Sequence, residues 1–204
     1  MIIENCTQGD ETWFALRAGR PTASCFDQIL TPKTMKPSAQ AKKYLYTLAG
    51  ERITGAKAES FQSDWMKRGI EVEAEAKVLF SWLRDVEVQE VGLVYQDDKR
   101  LYSASPDGLL VGETAGLELK CPAMHTQVGY LLDGSLPGDY IPQVQGSMFI
   151  TGYPRWFFLS YYPGLPPFII EVPRDDKWCA TLKVTLNDFC EELDRVEAKL
   201  RALA

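Results

Sequence analysis

Apolar positions between residues 39 and 83 recur every three or four residues, the spacing of a single helical face. Tyr44, Leu45, Leu48 and Ile53 predict a helix over 39–53, with Gly55 just beyond it as a stop. Trp65, Val72, Ala76, Leu79 and Leu83 form one stripe of a longer helix over 61–83. Upstream, Asp10 is a candidate N-cap for a short helix over 11–18 that carries Trp13, Phe14 and Leu16. Thr22-Ala23-Ser24 opens a second short helix, ending near Leu30 before Pro32. The Pro, Lys and Thr residues of 31–38 read as a mobile loop.

The periodicity then shortens. Residues 86–94, 100–105, 109–111 and 116–121 read as strands joined by tight turns. Asp97-Asp98-Lys99-Arg100 is one turn and Pro106-Asp107-Gly108 another. A helix over 123–132 follows, then a Gly/Pro-rich loop over 133–139. A helix over 140–151 has Pro142 in its first turn. An aromatic strand over 155–162 and a strand over 168–172 flank the turn at 163–167. Trp156, Phe157, Phe158, Tyr161 and Tyr162 read mainly as core, with alternation leaving some rings exposed. The last stretch, 175–204, is one long helix whose seam of Leu182, Leu186, Phe189, Leu193, Val196 and Leu200 suits packing on the sheet or on another subunit. The order predicts a single α/β domain over 1–204, with a central mixed β-sheet flanked by helices.

Bulk properties narrow the possibilities. A chain of 204 residues buries about 70% of its unfolded surface, so its core needs no staples. No window supplies the roughly 20 apolar residues of a membrane span, and the N-terminus lacks a basic segment followed by an apolar one. A cytosolic protein without a membrane partner is expected. The five cysteines are scattered, form no CxxC pair and accompany a single histidine, which argues against a Cys/His zinc site. They read as reduced, mostly buried thiols. A net charge of −6 disfavours nonspecific coating of nucleic acid, yet an enzyme on nucleic acid can carry acidic metal ligands beside a local basic groove.

One constellation carries chemistry. Asp107 stands on a turn, and Glu118 and Lys120, two apart on a strand, share a face while Leu117, Leu119 and Cys121 point inward. Pro-Asp-Gly alone is an ordinary hairpin turn, and Glu-x-Lys alone is an ordinary charge pair. Together, on an otherwise apolar strand, they are better explained by a site. A hard divalent cation suits Asp107, Glu118 and the Leu119 carbonyl, and its charge would activate water and bind a phosphate oxygen. Lys120 would orient that water, stabilise charge on the phosphate, or accept a proton if its pKa is depressed.

Other candidates are weaker individually. Glu73 lies one turn after Gly69 and one before Ala76 and Lys77, on a helix where Glu71 and Glu75 read as solvated. Asp97 reads first as a turn acid. Arg17, ending one short helix, and Ser24, opening the next, could bind a phosphate, or serve only as a surface arginine and a capping serine. His125 reads as structural, with a minor candidacy as a phosphate contact.

The sequence of blocks resembles the PD-(D/E)XK nucleases, and more narrowly the lambda-exonuclease-like, YqaJ-type viral recombinase family. The resemblance runs through Gln8, Trp13, Leu16-Arg17, Gly19, Thr22-Ala23-Ser24, Gly69, Glu73 and Ala76. It continues in Ser105-Pro106-Asp107-Gly108, Leu117-Glu118-Leu119-Lys120-Cys121-Pro122 and Gln143-Val144-Gln145. It implies a PD-(D/E)XK nuclease-like core with Mg²⁺, or Mn²⁺ in its place, on Asp107, Glu118 and the Leu119 carbonyl. Lys120 would position or activate water, Glu73 would assist near the metal, and Gln143 would lie close to the scissile phosphate. Asp97 falls where the family can carry a further acid. Arg17, Ser24 and Ser105 would match a pocket for a 5′-terminal phosphate. The activity implied is 5′→3′ exonucleolytic digestion of one strand of linear double-stranded DNA, releasing 5′-mononucleotides and leaving a 3′ overhang for recombination. A homotrimeric ring and a single-strand annealing protein in the cytoplasm of a bacterial host are implied with it. The interval from Asp107 to Glu118, with Glu113-Thr114-Ala115 in an expected turn, is slightly longer than the family's. An endonuclease on the same core, or a non-catalytic DNA-binding module, are the rival readings.

Overall fold

Capping begins the first helix where the sequence places it. Asp10 accepts a 2.6 Å hydrogen bond from the Trp13 backbone N–H and starts α1 (Glu11–Arg17). A computed structural model describes residues 1–55 and 64–203, with side chains described from 1–55 and 72–203. Phe61, the side chains of Trp65, Gly69 and Glu71, and Ala204 therefore lie outside the described residues. The segment opened by Thr22 is a 3-10 helix, Ala23–Gln28, and the stretch at 31–38 is a closed turn rather than a free loop. There the Thr31 N–H donates to the Lys36 carbonyl at 2.9 Å, and the Ser38 N–H donates to that of Ile29 at 2.9 Å. α2 (Ala41–Thr54) ends on Gly55 at φ 70°, a left-handed cap that glycine adopts without steric cost. α3 spans Asp64–Arg84.

The strands divide into two sheets. β1 (Ile2–Glu4), which the alternation did not predict, pairs antiparallel with β3 (Leu93–Tyr95). β4 (Ser103–Ala104) completes this three-stranded sheet. The larger sheet contains β2 (Val88–Gln89), β5 (Gly108–Leu110), β6 (Ala115–Lys120), β7 (Arg155–Ser160) and β8 (Phe168–Pro173). Its order is β2-β5-β6-β7-β8, parallel only between β6 and β7. The stretch expected as one strand over 86–94 is thus cut in two. Gly92 is the break: a Cβ there would lie 2.1 Å from the Cys6 carbonyl oxygen, so only glycine lets the chain pass the N-terminal segment. Ala115, expected in a turn, is fully buried inside β6.

Helices cover both faces of the larger sheet, which is why its strands are apolar on both sides. On one face, Ala76 and Phe80 of α3 pack on Leu117, Leu119, Phe157 and Leu159. The row that reaches Phe157 is Ala76, Phe80 and Arg84, with the Phe80 ring at 5.5 Å and the Arg84 guanidinium at 4.6 Å. Leu83, expected on that stripe, is 44% exposed. On the other face lie α4 (Met124–Asp133), α5 (Ile141–Thr151) and α6 (Asp176–Arg201). The α6 seam packs on α2 and α5 rather than on the sheet: Phe189 meets Tyr44 at 5.8 Å, and Leu200 trails out to 38% exposure. Trp156, Phe157, Phe158 and Tyr161 are buried under the two-sided cover, and of the five rings Tyr162 alone stays half-exposed. Full burial of one such ring contributes about 2–3 kcal/mol. Gly116, register partner of Trp156, leaves the space its indole fills. Among the described residues, no helix is long and apolar enough to cross a membrane.

Candidate active site

β5 and β6 bring the acids together. The Asp107 N–H donates to the Leu117 carbonyl at 3.1 Å, so the turn residue is tied to the middle of β6. Its Oδ2 accepts a 2.6 Å hydrogen bond from the Leu119 N–H. Glu118, one residue away, is 1% exposed and paired through Oε1 with Lys120 Nζ. Glu118 Oε2 is buried with no partner. Lys120 Nζ also lies 5.4 Å from the centroid of the Tyr140 ring.

The electrostatics follow from burial. It pushes the Asp107 carboxyl up, against the pull of Lys120 and the Leu119 N–H. It pushes Glu118 up to about 8, with Lys120 opposing and Asp107 reinforcing the rise. Glu73 is raised by burial and then by Asp107, with Lys77 and Lys120 opposing. Burial works against the Lys120 ammonium, but Glu118 and Asp107 outweigh it, and its pKa is raised. Of the roles open to Lys120, accepting a proton requires a depressed pKa, and the raised one leaves it a donor.

These groups suit a hard cation. Three carboxyls disfavoured as anions, one with a bare buried oxygen, would be stabilised by divalent positive charge. Among the described residues, no three or more His, Cys, Asp or Glu side chains form a ready cage. An ion would complete its shell with backbone carbonyl and water, as Mg²⁺ does. A cavity of about 720 Å³ opens beside Asp107 and Glu73, bordered by Lys77, Glu90 and Gln8.

A second group gathers around Arg17. Its Nη1 donates to Ser105 Oγ at 2.8 Å, and its Nη2 to Thr22 Oγ1 at 3.2 Å and Ser24 Oγ at 3.3 Å. The guanidinium stacks 4.2 Å from the Trp13 ring, whose Nε1 donates to Ser105 Oγ at 3.0 Å and to the Gly92 carbonyl at 3.1 Å. Burial lowers the Arg17 pKa, since hydroxyls and not carboxylates meet its fork. A half-buried guanidinium whose hydrogen bonds go to hydroxyls is suited to an anion. Ser105 joins this group to Asp107, two residues along the chain.

The remaining candidates separate. Gln143 stands in the first turn of α5, three residues after Tyr140. Asp97 is not among the charges that act on Asp107, Glu118 or Glu73; it accepts from the Lys99 N–H at 3.0 Å and acts on Tyr102. His125 is exposed in the first turn of α4. Glu75 is exposed, as expected, and accepts a hydrogen bond from the Tyr161 hydroxyl.

Three supporting residues, Gln8, Glu51 and Arg52, were not assigned roles from sequence. Gln8 Nε2 donates to the Val91 carbonyl at 2.9 Å and the Pro106 carbonyl at 2.8 Å, stapling the turn that bears Asp107. Glu51 Oε2 accepts from the Gly19 N–H at 2.8 Å, and Arg52 Nε donates to the Gly19 carbonyl at 2.8 Å, fixing the turn after Arg17. An acid continuing the apolar row of Tyr44 and Leu48 is the signal that could have found Glu51.

The chain is similar to known proteins in keeping with this geometry. A family model described as the YqaJ-like viral recombinase domain matches residues 12–154. ExoD of Escherichia coli (strain K12) is 31% identical over 71 residues, covering 32% of this chain and 79% of ExoD. The crystal structure of an alkaline exonuclease, LHK-Exo from Laribacter hongkongensis, superposes with a TM-score of 0.85 at 30% identity, covering 95% of this chain and 97% of that one. LHK-Exo in complex with dAMP gives the same TM-score at 31% identity over the same shares. A phage related exonuclease from Haemophilus somnus 129PT shares the fold, with a TM-score of 0.70 at 14% identity, covering 89% of this chain and 96% of that one. The protein belongs to the YqaJ-like viral recombinase family and is an exonuclease with the PD-(D/E)XK nuclease fold.

Proposed function

We propose that this DNA exonuclease is Mg²⁺-dependent and digests one strand of linear duplex DNA in the 5′→3′ direction, releasing 5′-mononucleotides and leaving a 3′ single-stranded overhang. The observation that carries this reading is the short path from Arg17 through Ser105 to Asp107. An anion held by Arg17, Ser24 and Ser105 sets the next phosphodiester linkage near the carboxylate pair. A terminal phosphate meets that requirement, and an internal one has no reason to.

Asp107, Glu118 and the Leu119 carbonyl would hold Mg²⁺, with Mn²⁺ as a substitute. Bound there, the cation would supply positive charge to the phosphate oxygens and make water more acidic. Lys120, kept as an ammonium by Glu118 and Asp107, would donate hydrogen bonds to the attacking water and to the phosphate. Glu73 would assist beside the cation, and Gln143 would offer its amide near the scissile linkage. The whole chain, 1–204, would act as one nuclease domain. A homotrimeric ring in the cytoplasm of a bacterial host would keep a protein of charge −6 on DNA by enclosure, with a single-strand annealing protein receiving the overhang.

Time-resolved digestion of linear duplexes with defined ends, in Mg²⁺ and in EDTA, tests this. Mononucleotide release from 5′-phosphorylated ends in Mg²⁺, absent in EDTA, is expected. Cleavage of covalently closed circles would instead favour an endonuclease, and no cleavage of any substrate would leave a binding module.

A further inference from the structure

Lys120 needs more than one restraint to act as an aimed donor. Its four-carbon stem is flexible, and its side chain is 27% exposed. Glu118 fixes the ammonium from one side only. An aromatic face meets it as well, since Nζ lies over the Tyr140 ring, 5.4 Å from its centroid. We propose that Tyr140 is a positioning residue for Lys120, its ring face holding the ammonium against the carboxylate pair while leaving N–H groups free for the substrate.

The ring is itself fixed in three ways. It lies on Phe158 at 5.1 Å with an interplanar angle of 35°. It meets Tyr130 edge-on at 6.4 Å and 84°. It also closes the 3-10 turn Gly138–Tyr140, two residues before Pro142 stiffens the start of α5. Phe158 is the register partner of Glu118. The acid and the base of the aromatic wall therefore stand on adjacent strands of one sheet, and a rigid sheet sets the gap that the ammonium fills. A π face attracts the cation without supplying a lone pair that would capture a particular N–H. That separates it from a second carboxylate, which would compete with substrate for the same hydrogens.

This inference rests on the role given to Lys120 above. Its test is the rate of mononucleotide release in Mg²⁺ for Tyr140→Phe, Tyr140→Leu and a series with mono-, di- and trifluorinated phenylalanine at position 140. Fluorination weakens the ring's attraction for a cation at nearly constant shape, so it preserves packing where Tyr140→Leu loses it. Tyr140→Phe should stay within about twofold of the unaltered protein, and Tyr140→Leu should lose roughly tenfold in kcat with KM for DNA ends unchanged. Along the fluorinated series kcat should fall step by step while the melting temperature holds. A flat fluorinated series, or a Tyr140→Phe loss as large as that of Tyr140→Leu, overturns the proposal. Lys120→Ala, run in parallel, separates the two readings: if it cleaves normally the lysine assignment fails, and if it is inactive while the series is flat only the Tyr140 role fails.

Discussion

The Asp107 carboxylate accepts a hydrogen bond from the Leu119 N–H at 2.6 Å, which brings the turn acid beside Glu118 on the neighbouring strand. A half-buried and a buried carboxyl are thereby held side by side where neither favours the anion. The site is assembled at a cost that a bound cation would offset.

That cost can be measured. Asp107→Asn keeps an oxygen for the Leu119 N–H and removes the charge. In EDTA the variant should be more stable than the parent, by on the order of 1 kcal/mol, while nuclease activity is lost. Denaturant melts of both proteins check this, and a less stable variant would contradict the electrostatic account.

Cation binding should be linked to protons. Glu118 titrates near 8 in the fold against an ordinary 4.5, so the folded protein holds the proton more tightly. Its contribution to stability is full below about pH 4.5 and is lost as pH rises through about 8. A divalent cation bound at the carboxylates would replace that proton. The rise in melting temperature caused by Mg²⁺ should therefore be larger near pH 8 than near pH 6, and calorimetry in two buffers should register proton release on binding. An equal Mg²⁺ effect at both pH values would refute the linkage.

Arg17→Lys keeps the charge but loses the fork that reaches Ser105 on one arm and Thr22 and Ser24 on the other. The rate advantage of 5′-phosphorylated over 5′-hydroxyl ends should fall roughly tenfold, with the fold retained. Paired rates on the two end types decide it; an undiminished ratio would remove Arg17 from the pocket.

Gly19→Ala should damage both stability and end selectivity. Gly19 has φ 69°, and a Cβ would come within 2.3 Å of Arg52 Cγ. Arg52 cannot swing aside freely, because it is paired with Asp194 at 2.6 Å and Glu197 at 3.0 Å. The combined strain is on the order of 2 kcal/mol, a drop of roughly 5 °C in melting temperature. An unaltered melt with unaltered selectivity would show that the clamp on this turn carries nothing.

Local chemistry wrote much of this molecule into the chain. Asp10 as a cap, Gly55 as a left-handed stop, Pro142 at the start of α5 and the alternation of Leu117, Glu118, Leu119 and Lys120 each act within a few residues. Backbone sterics and side-chain period need no distant partner, so these features were legible, and the acids and lysine of the candidate site were legible with them. The grouping of Arg17 with Ser105 was accessible only through family resemblance, since 88 residues separate them.

Other features depend on segments that meet only after folding. The break at Gly92 arises because the Cys6 backbone passes within reach of it. Both faces of β7 are buried because α3 covers one side and α4 and α5 the other, which no alternation within 155–160 could signal. The sequence by itself determined where helices start and stop and which residue types share a strand face. Tertiary structure alone decided which strands pair, that Lys120 is held as a donor between Glu118 and Tyr140, and that Glu51 grips Gly19. Periodicity and capping are set by neighbours along the chain, whereas pairing, burial and pKa are set by whatever the fold brings into contact.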